Sequence, residues 1–250
     1  MGRQKLLVSV VDRAEARAAL KGGADIIDVK NPVEGSLGAS FPWVIKKIAA
    51  LMPPGRELST TLGDAPYLPG TYSLAAAGAA WCGVHYVKVG LYGMATIGEA
   101  VYFLRQVKTA VQLAAGEEVK IIAVGYADAH RFGAVLPQDI PLVAAKAGVH
   151  GCMLDTAVKD GTSLLQLMPA EHLTEFVRET SAYQLLSGLA GSLKMQDLPA
   201  IRELAPDVVG VRSAACRGDR VKGRVDERKV RGLRKALSPD HTTSVPRVLP

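Results

Sequence analysis

The run DIIDVK (residues 25–30), set between Gly22-Gly23 and Pro32, decides how the chain is read. Side chains alternate across a strand. Ile27 and Val29 then share one face, suited to a cover of helices. Ile26, Asp28 and Lys30 share the other, so a carboxylate and an ammonium face whatever the strand helps to enclose. Seven further strand-length runs punctuate the sequence: LLVSV (6–10), ELSTTL (57–62), HYVKVG (85–90), KIIAVG (120–125), GCMLD (151–155), YQLLSG (183–188) and DVVGVR (207–212). Helical patterns lie between them: RAEARAALK (13–21), PWVIKKIAAL (42–51), TYSLAAAGAA (71–80), Thr96 to Leu113, PQDIPLVAAKA (137–147), AEHLTEFVRETS (170–181) and SLKMQDLPAIREL (192–204). Residues 226–237 remain for a last helix.

Strand and helix alternating eight times in a chain of 250 residues predicts an α/β fold, a single (β/α)8 TIM barrel. A doubly wound sheet usually carries a glycine-rich loop after its first strand. Here VSVVDRAEA follows instead. No low-complexity linker divides the chain, so residues 1–250 read as one domain. It ends in a basic helical segment (about 217–237) and a loose Pro-containing tail (about 238–250).

Composition narrows the function classes. Hydrophobic residues make up 48% and charged residues 22%, which argues against disorder. Three widely spaced cysteines build neither a disulfide framework nor a zinc motif, so a reducing, cytoplasmic compartment is expected. The apolar stretch at the N-terminus is too short for a signal peptide. Residues 65–87 carry no Asp, Glu, Lys or Arg, yet Pro66, Pro69, Gly70, Gly78 and Gly83 interrupt them. They read as a loop, a packed helix and the start of a buried strand rather than a membrane span.

The net charge of +6 sits in one place. Residues 217–235 hold nine Lys/Arg and three Asp/Glu of the chain's 30 and 24, so the remainder is neutral. With no aromatic platform or DNA-binding motif beside it, the stretch reads as a solvated basic helix. No nucleic-acid or membrane partner is expected. A further reading lets its first arginines help bind an anionic substrate. Barrels often associate, so a homo-oligomer is expected, although no interface is legible.

Barrel active sites lie at the C-terminal ends of the strands. On strand two, Asp28 and Lys30 point inward. On strand four (YVKVG, 86–90), valines take the outward face and leave Lys88 inward. Strand six ends at Asp155, with Lys159 in the loop beyond. These residues could be internal salt bridges, Asp28 and Asp155 neutralising Lys30 and Lys88. Two inward lysines between valines on different strands favour chemistry instead. Lysine is a nucleophile only as the free amine, and burial with a second cation nearby lowers its pKa. A neighbouring lysine and aspartate can move the protons of imine and enamine formation. That is a class I aldolase-type site.

Strands seven and eight offer a phosphate site. Gly188, Gly191 and Ser192 lie in GLAGS, which opens the 192–204 helix, and Arg212 and Ser213 follow strand eight. Arg212 or Arg217 could equally be paired structurally. Asp12 reads as a helix N-cap. The loop Asn31–Gly38 is long enough to cover the mouth. No His/Cys cluster suggests a metal.

GGADIIDVKNPVEGSLGASFPWVI (22–45), YVKVGLYG (86–93), MLDTAVKDG (153–161) and GVRSAACRGDR (210–220) closely resemble the (5-formylfuran-3-yl)methyl phosphate synthase family, also called 4-(hydroxymethyl)-2-furancarboxaldehyde-phosphate synthases. The resemblance runs from residue 6 to about 235. It implies a barrel that condenses two glyceraldehyde 3-phosphates into one furan aldehyde phosphate, losing one phosphate and two waters, toward a methanofuran-type one-carbon carrier. It implies further that Lys30 is the Schiff-base lysine and Lys88 the proton acceptor, with Asp28, Asp155 and Lys159 also important. This scheme requires no organic cofactor and no metal. The alternatives are another imine-forming aldolase on a different sugar phosphate and a non-catalytic barrel binding an anion or RNA.

Overall fold

A computed structural model describes residues 3–238. Beyond Ser238, the expected tail lies outside the described residues. The order is β1 (Lys5–Val10), α1 (Arg13–Lys21), β2 (Ile26–Val29), α2 (Pro42–Ala49), β3 (Glu57–Asp64), α3 (Pro69–Ala80), β4 (Tyr86–Gly90), α4 (Ile97–Ala115), β5 (Lys120–Tyr126), α5 (Ile140–Ala147), β6 (Gly151–Asp155), α6 (Leu164–Leu167), α7 (Ala170–Ala182), β7 (Leu186–Leu189), α8 (Leu198–Leu204), β8 (Val208–Val211), β9 (Cys216–Arg217), β10 (Arg224–Val225) and α9 (Glu227–Ala236). Strands β1 to β8 pair in sequence order, all parallel, and β8 closes on β1. The chain is a TIM barrel.

The alternation in the strands builds two cores. Outward residues such as Leu6, Val8, Ile27, Val29, Val87 and Val89 pack under the helices and are fully buried. Inward residues Leu7, Ile26, Tyr86, Ile122 and Met153 fill the lower barrel as a smaller apolar cluster. Burial of such side chains, worth about 1.5–3 kcal/mol each, supplies the driving force. Above that cluster the inward positions turn polar: Ser9, Asp28, Ser59, Thr61, Lys88 and Asp155 are all buried at the mouth.

Helix starts follow local chemistry. Asp12 caps α1 by accepting from the Glu15 amide, as expected. Thr96 and Glu99 form a capping box on α4, and Asp226 caps α9. Of the basic helical segment expected over about 217–237, only α9 is helical, since β9 and β10 pair as an antiparallel hairpin before it. Two further boundaries differ from the sequence reading. The helix expected over 192–204 begins only at Leu198, after a 3₁₀ turn over Met195–Asp197. Gly191 (φ 110°) and Ser192 (φ 49°) are in the left-handed half of conformational space, where an α-helix cannot start. The Lys194 amide is also already bonded to Asp197. The seventh strand begins at Leu186 rather than 183, because Gln184 (φ 57°) makes the turn out of α7. The four-residue α6 had no counterpart in the sequence reading.

Candidate active site

Three neighbouring strands put Ser9, Asp28 and Ser59 at one level, in register across β1, β2 and β3. Asp28 is wholly buried and accepts from Ser9 Oγ and Ser59 Oγ at 2.9 Å each. Lys88 Nζ, inward on β4, lies 2.9 Å from the same carboxylate. Burial alone would raise the Asp28 pKa, but Lys88 and Lys30 outweigh it and hold it below the usual carboxylate value. Asp28 and Lys88 are therefore a closed, charged and hydrogen-bonded pair.

Asp155 ends β6. It accepts from Lys159 Nζ and from the Thr156 amide, both at 2.7 Å. Here too burial works to raise the pKa, and Lys159 with Lys30 pulls it below normal. Lys159 Nζ also donates to Thr156 Oγ1 at 3.0 Å.

Lys30 is the lysine left over. It lies just past the end of β2, 6% exposed, and its Nζ donates to the Ser36 carbonyl at 3.1 Å. Among the described residues it has no carboxylate within ion-pair distance. Burial lowers its pKa to about 7; Asp155 and Asp28 oppose that drop, while Lys159 and Lys88 deepen it. A substantial fraction of Lys30 is then the free amine at neutral pH. The two expected neutralisations thus resolve differently from the simplest salt-bridge reading: Asp28 takes Lys88, Asp155 takes Lys159, and Lys30 stays unpaired.

One pocket gathers most of the expected residues. Lys30, Lys88, Asp155 and Lys159 line it together with Gly191, Ser192, Arg212 and Ser213. Asp28 lies behind Lys88. Gly188 does not reach the pocket. It sits inside β7, where an added Cβ would meet Met153 at 2.9 Å, and it borders the lower barrel instead. The helix terminus expected at Ser192 is likewise absent there, since α8 starts six residues later. Arg212 is present but already engaged: Nη1 is 2.6 Å from Glu15 and 2.9 Å from the Ser9 carbonyl. Arg217 turns away, 70% exposed, in an ion pair with Asp226.

The loop Asn31–Gly38 covers the mouth, as its length suggested. Ser36 Oγ donates to the Thr156 carbonyl at 2.7 Å, and Thr61 Oγ1 to the Gly38 carbonyl at 2.9 Å. The Leu37 amide donates to Asp64, which also accepts from the buried Tyr126 hydroxyl. Burial and Asp64 push the Tyr126 pKa well above its ordinary value. Arg220 ties the same loop by donating to the Gly35 carbonyl at 2.9 Å, and it lines the pocket. Sequence reasoning passed over Ser9, Ser59 and Tyr126, and reached Arg220 only as one of the first arginines of the basic stretch. Strand alternation would have turned Ser9 and Ser59 inward beside Asp28. Arg220 lies in an aperiodic basic run, where no alternation separates it from Arg217. Among the described residues, no group of three or more His, Cys, Asp and Glu is placed to hold a metal.

This architecture has known counterparts. The 4-HFC-P synthase family matches residues 6–234. A (5-formylfuran-3-yl)methyl phosphate synthase of Methanococcus maripaludis is 53% identical over 92% of this chain and 98% of its own. One from Methanopyrus kandleri is 50% identical over 94% and 100%, and one from Methanocaldococcus jannaschii 51% over 92% and 98%. Among solved structures, KGPDC from Streptococcus mutans aligns over 94% of this chain and 98% of its own, with TM-score 0.64 and 10% identity. Phosphoribosyl anthranilate isomerase from Thermotoga maritima aligns over 94% and 98%, with TM-score 0.64 and 14% identity. At such identities these two structures speak for the barrel alone.

Proposed function

The chain belongs to the 4-HFC-P synthase family, and from that premise we propose that it condenses two glyceraldehyde 3-phosphate molecules into (5-formylfuran-3-yl)methyl phosphate through an imine on Lys30. One phosphate and two waters leave, and the product serves a methanofuran-type one-carbon carrier. The observation that carries the mechanism is Lys30 itself: buried, unpaired, and lowered to about 7. A free amine attacks a triose carbonyl, and loss of water from the carbinolamine gives the imine. Lys88 moves the proton at the adjacent carbon, held in place by Asp28. Lys159 and Asp155, at 2.7 Å from one another, serve as a second proton-transfer pair. Aromaticity of the furan makes the last dehydration effectively irreversible.

Gly191, Ser192 and Ser213 bind one substrate phosphate through the turn after β7 and the segment after β8. The support is their position on the pocket wall. Neither the Gly191 nor the Ser192 amide donates to a protein acceptor among the described residues. Arg212 acts on this wall by fixing it, through Glu15 and Ser9, rather than as a free cation. No step of this scheme calls on a cofactor.

The surroundings are part of the same proposal. Cytoplasmic residence is supported by three free, buried cysteines, and no described helix is long and apolar enough to cross a membrane. Nucleic acid is not a partner on this reading, because part of the basic run is paired internally: Arg224 with Asp12, Arg231 with Glu227, Arg234 with Asp25 and Arg217 with Asp226. A homo-oligomer is supported by exposed Phe41, Trp43, Leu74 and Trp81 on one side of the barrel, and sedimentation of the pure protein tests it. The reaction is tested with glyceraldehyde 3-phosphate as sole substrate. Inorganic phosphate and the ultraviolet absorbance of a conjugated furan aldehyde should rise together, one for one. Neither signal rising overturns the proposal.

A further inference from the structure

The proposed reaction brings two phosphate groups into one pocket, whereas the turn cradle at Gly191, Ser192 and Ser213 accounts for one. The cations of the pocket are mostly committed. Lys88 is held by Asp28, Lys159 by Asp155 and Arg212 by Glu15. Arg220 is different. Among the described residues it has no carboxylate partner, and its recorded acceptors are two neutral carbonyls, Gly35 at 2.9 Å and Pro32 at 3.4 Å. A guanidinium has five N–H donors, so three remain unassigned. A partly buried cation facing a pocket with only carbonyl partners is incompletely neutralised, and a phosphate dianion answers that deficit bidentately.

Its position identifies which phosphate. Arg220 holds the Gly35 carbonyl and Lys30 Nζ holds the next one, Ser36. Consecutive residues are about 3.8 Å apart along the chain. The guanidinium and the amine thus hold neighbouring carbonyls of one loop and line the same pocket. We infer that Arg220 receives the phosphate of the triose joined to Lys30, leaving the turn cradle to the second triose. This rests on the proposed imine chemistry. It also assigns the leaving group. In the enamine on Lys30 the nitrogen lone pair re-forms the iminium, the carbon–carbon double bond moves one carbon along, and the carbon–oxygen bond to phosphate breaks with its electron pair on phosphate. The charge on that departing group falls against Arg220, which is where a fixed cation lowers the barrier.

Borohydride trapping tests this without needing the furan to form. Wild-type protein is incubated with glyceraldehyde 3-phosphate or with unphosphorylated glyceraldehyde, reduced, and the half-saturating concentration for labelling Lys30 is read by peptide mass. Wild type should favour the phosphorylated triose by about tenfold or more. In Arg220→Met that preference, read as the ratio of the two half-saturating concentrations, should collapse toward unity, and Arg220→Lys should retain part of it. An undiminished preference in Arg220→Met overturns the inference and leaves the imine proposal standing. No trapping of either triose in wild type overturns the imine proposal itself. Should Arg220→Met trap neither sugar, Arg220→Lys decides: a preference equal to wild type there, where the planar fork is gone, contradicts a bidentate phosphate receptor.

Discussion

Lys30 and Lys88 are both inward lysines near the ends of barrel strands, and both are almost completely buried, yet their surroundings give them different partners. Lys88 sits 2.9 Å from Asp28, a carboxylate also fixed by two serine hydroxyls. Its charge is matched where it stands. Lys30 has a loop carbonyl and no carboxylate of its own, and its pKa falls to about 7. Burial is common to both, so burial alone does not make a nucleophile. The partner makes the difference: one lysine is tied to a carboxylate, the other is released to act as an amine.

Breaking either side of this contrast should have distinct consequences. The largest effect belongs to catalysis. Lys30→Ala removes the group that would bond to substrate, and turnover should drop by about 10³-fold or more, read as furan formation. Near-wild-type turnover would place the imine elsewhere.

The next effect is on stability, and its sign separates the two lysines. Lys88→Met strands a buried carboxylate and should cost about 3–5 kcal/mol in denaturant unfolding, less if Asp28 is made Asn as well. Lys30→Met removes a lysine that folding disfavours in its charged form, so it should stabilise by the order of 2–4 kcal/mol at pH 6. The pH dependence follows from the lowered pKa. Below about 7 Lys30 is protonated whether folded or unfolded, and the burial cost is fully present. Between about 7 and the unfolded value of 10.5 the unfolded chain holds the extra proton, so wild-type stability gains on the mutant as pH rises. Unfolding curves at pH 6, 8 and 10 should show the Lys30→Met advantage shrinking in that order. The same group should give kcat/KM an acid limb rising through about pH 7.

The smallest effect tests the loop rather than the lysines. Tyr126→Phe removes one hydrogen bond to Asp64, which also holds the Leu37 amide. A loss of about 1 kcal/mol in thermal unfolding is expected, with Lys30 labelling preserved. Loss of labelling would tie the amine state to the loop more tightly than this account does.

Much of this was legible in the sequence because two-residue alternation is a strong signal. Valines flanking Lys88, and Ile27 and Val29 flanking Asp28, fixed which side chains point inward before any coordinates. The eight-fold repeat of strand and helix then fixed the barrel. What escaped had no period to betray it. Which carboxylate would take which lysine depends on distances across the barrel, so strand alternation alone left Lys30 and Lys88 equivalent, and only the family resemblance told them apart. Arg220 enters from an irregular segment after β8, so sequence alone could not tell it from Arg217 as the arginine that reaches the pocket. The start of α8 was misread because helix propensity over 192–197 gives way to the left-handed turn at Gly191 and Ser192. Whether Arg212 was free or paired stayed open because its partner, Glu15, lies 197 residues away in sequence.

The contrast between the two lysines comes down to which of them bonds to substrate. The most direct measurement is to incubate the protein with glyceraldehyde 3-phosphate, reduce with borohydride, digest, and locate the added mass. The account predicts a single labelled peptide, modified at Lys30. A label on Lys88 or Lys159 would contradict it.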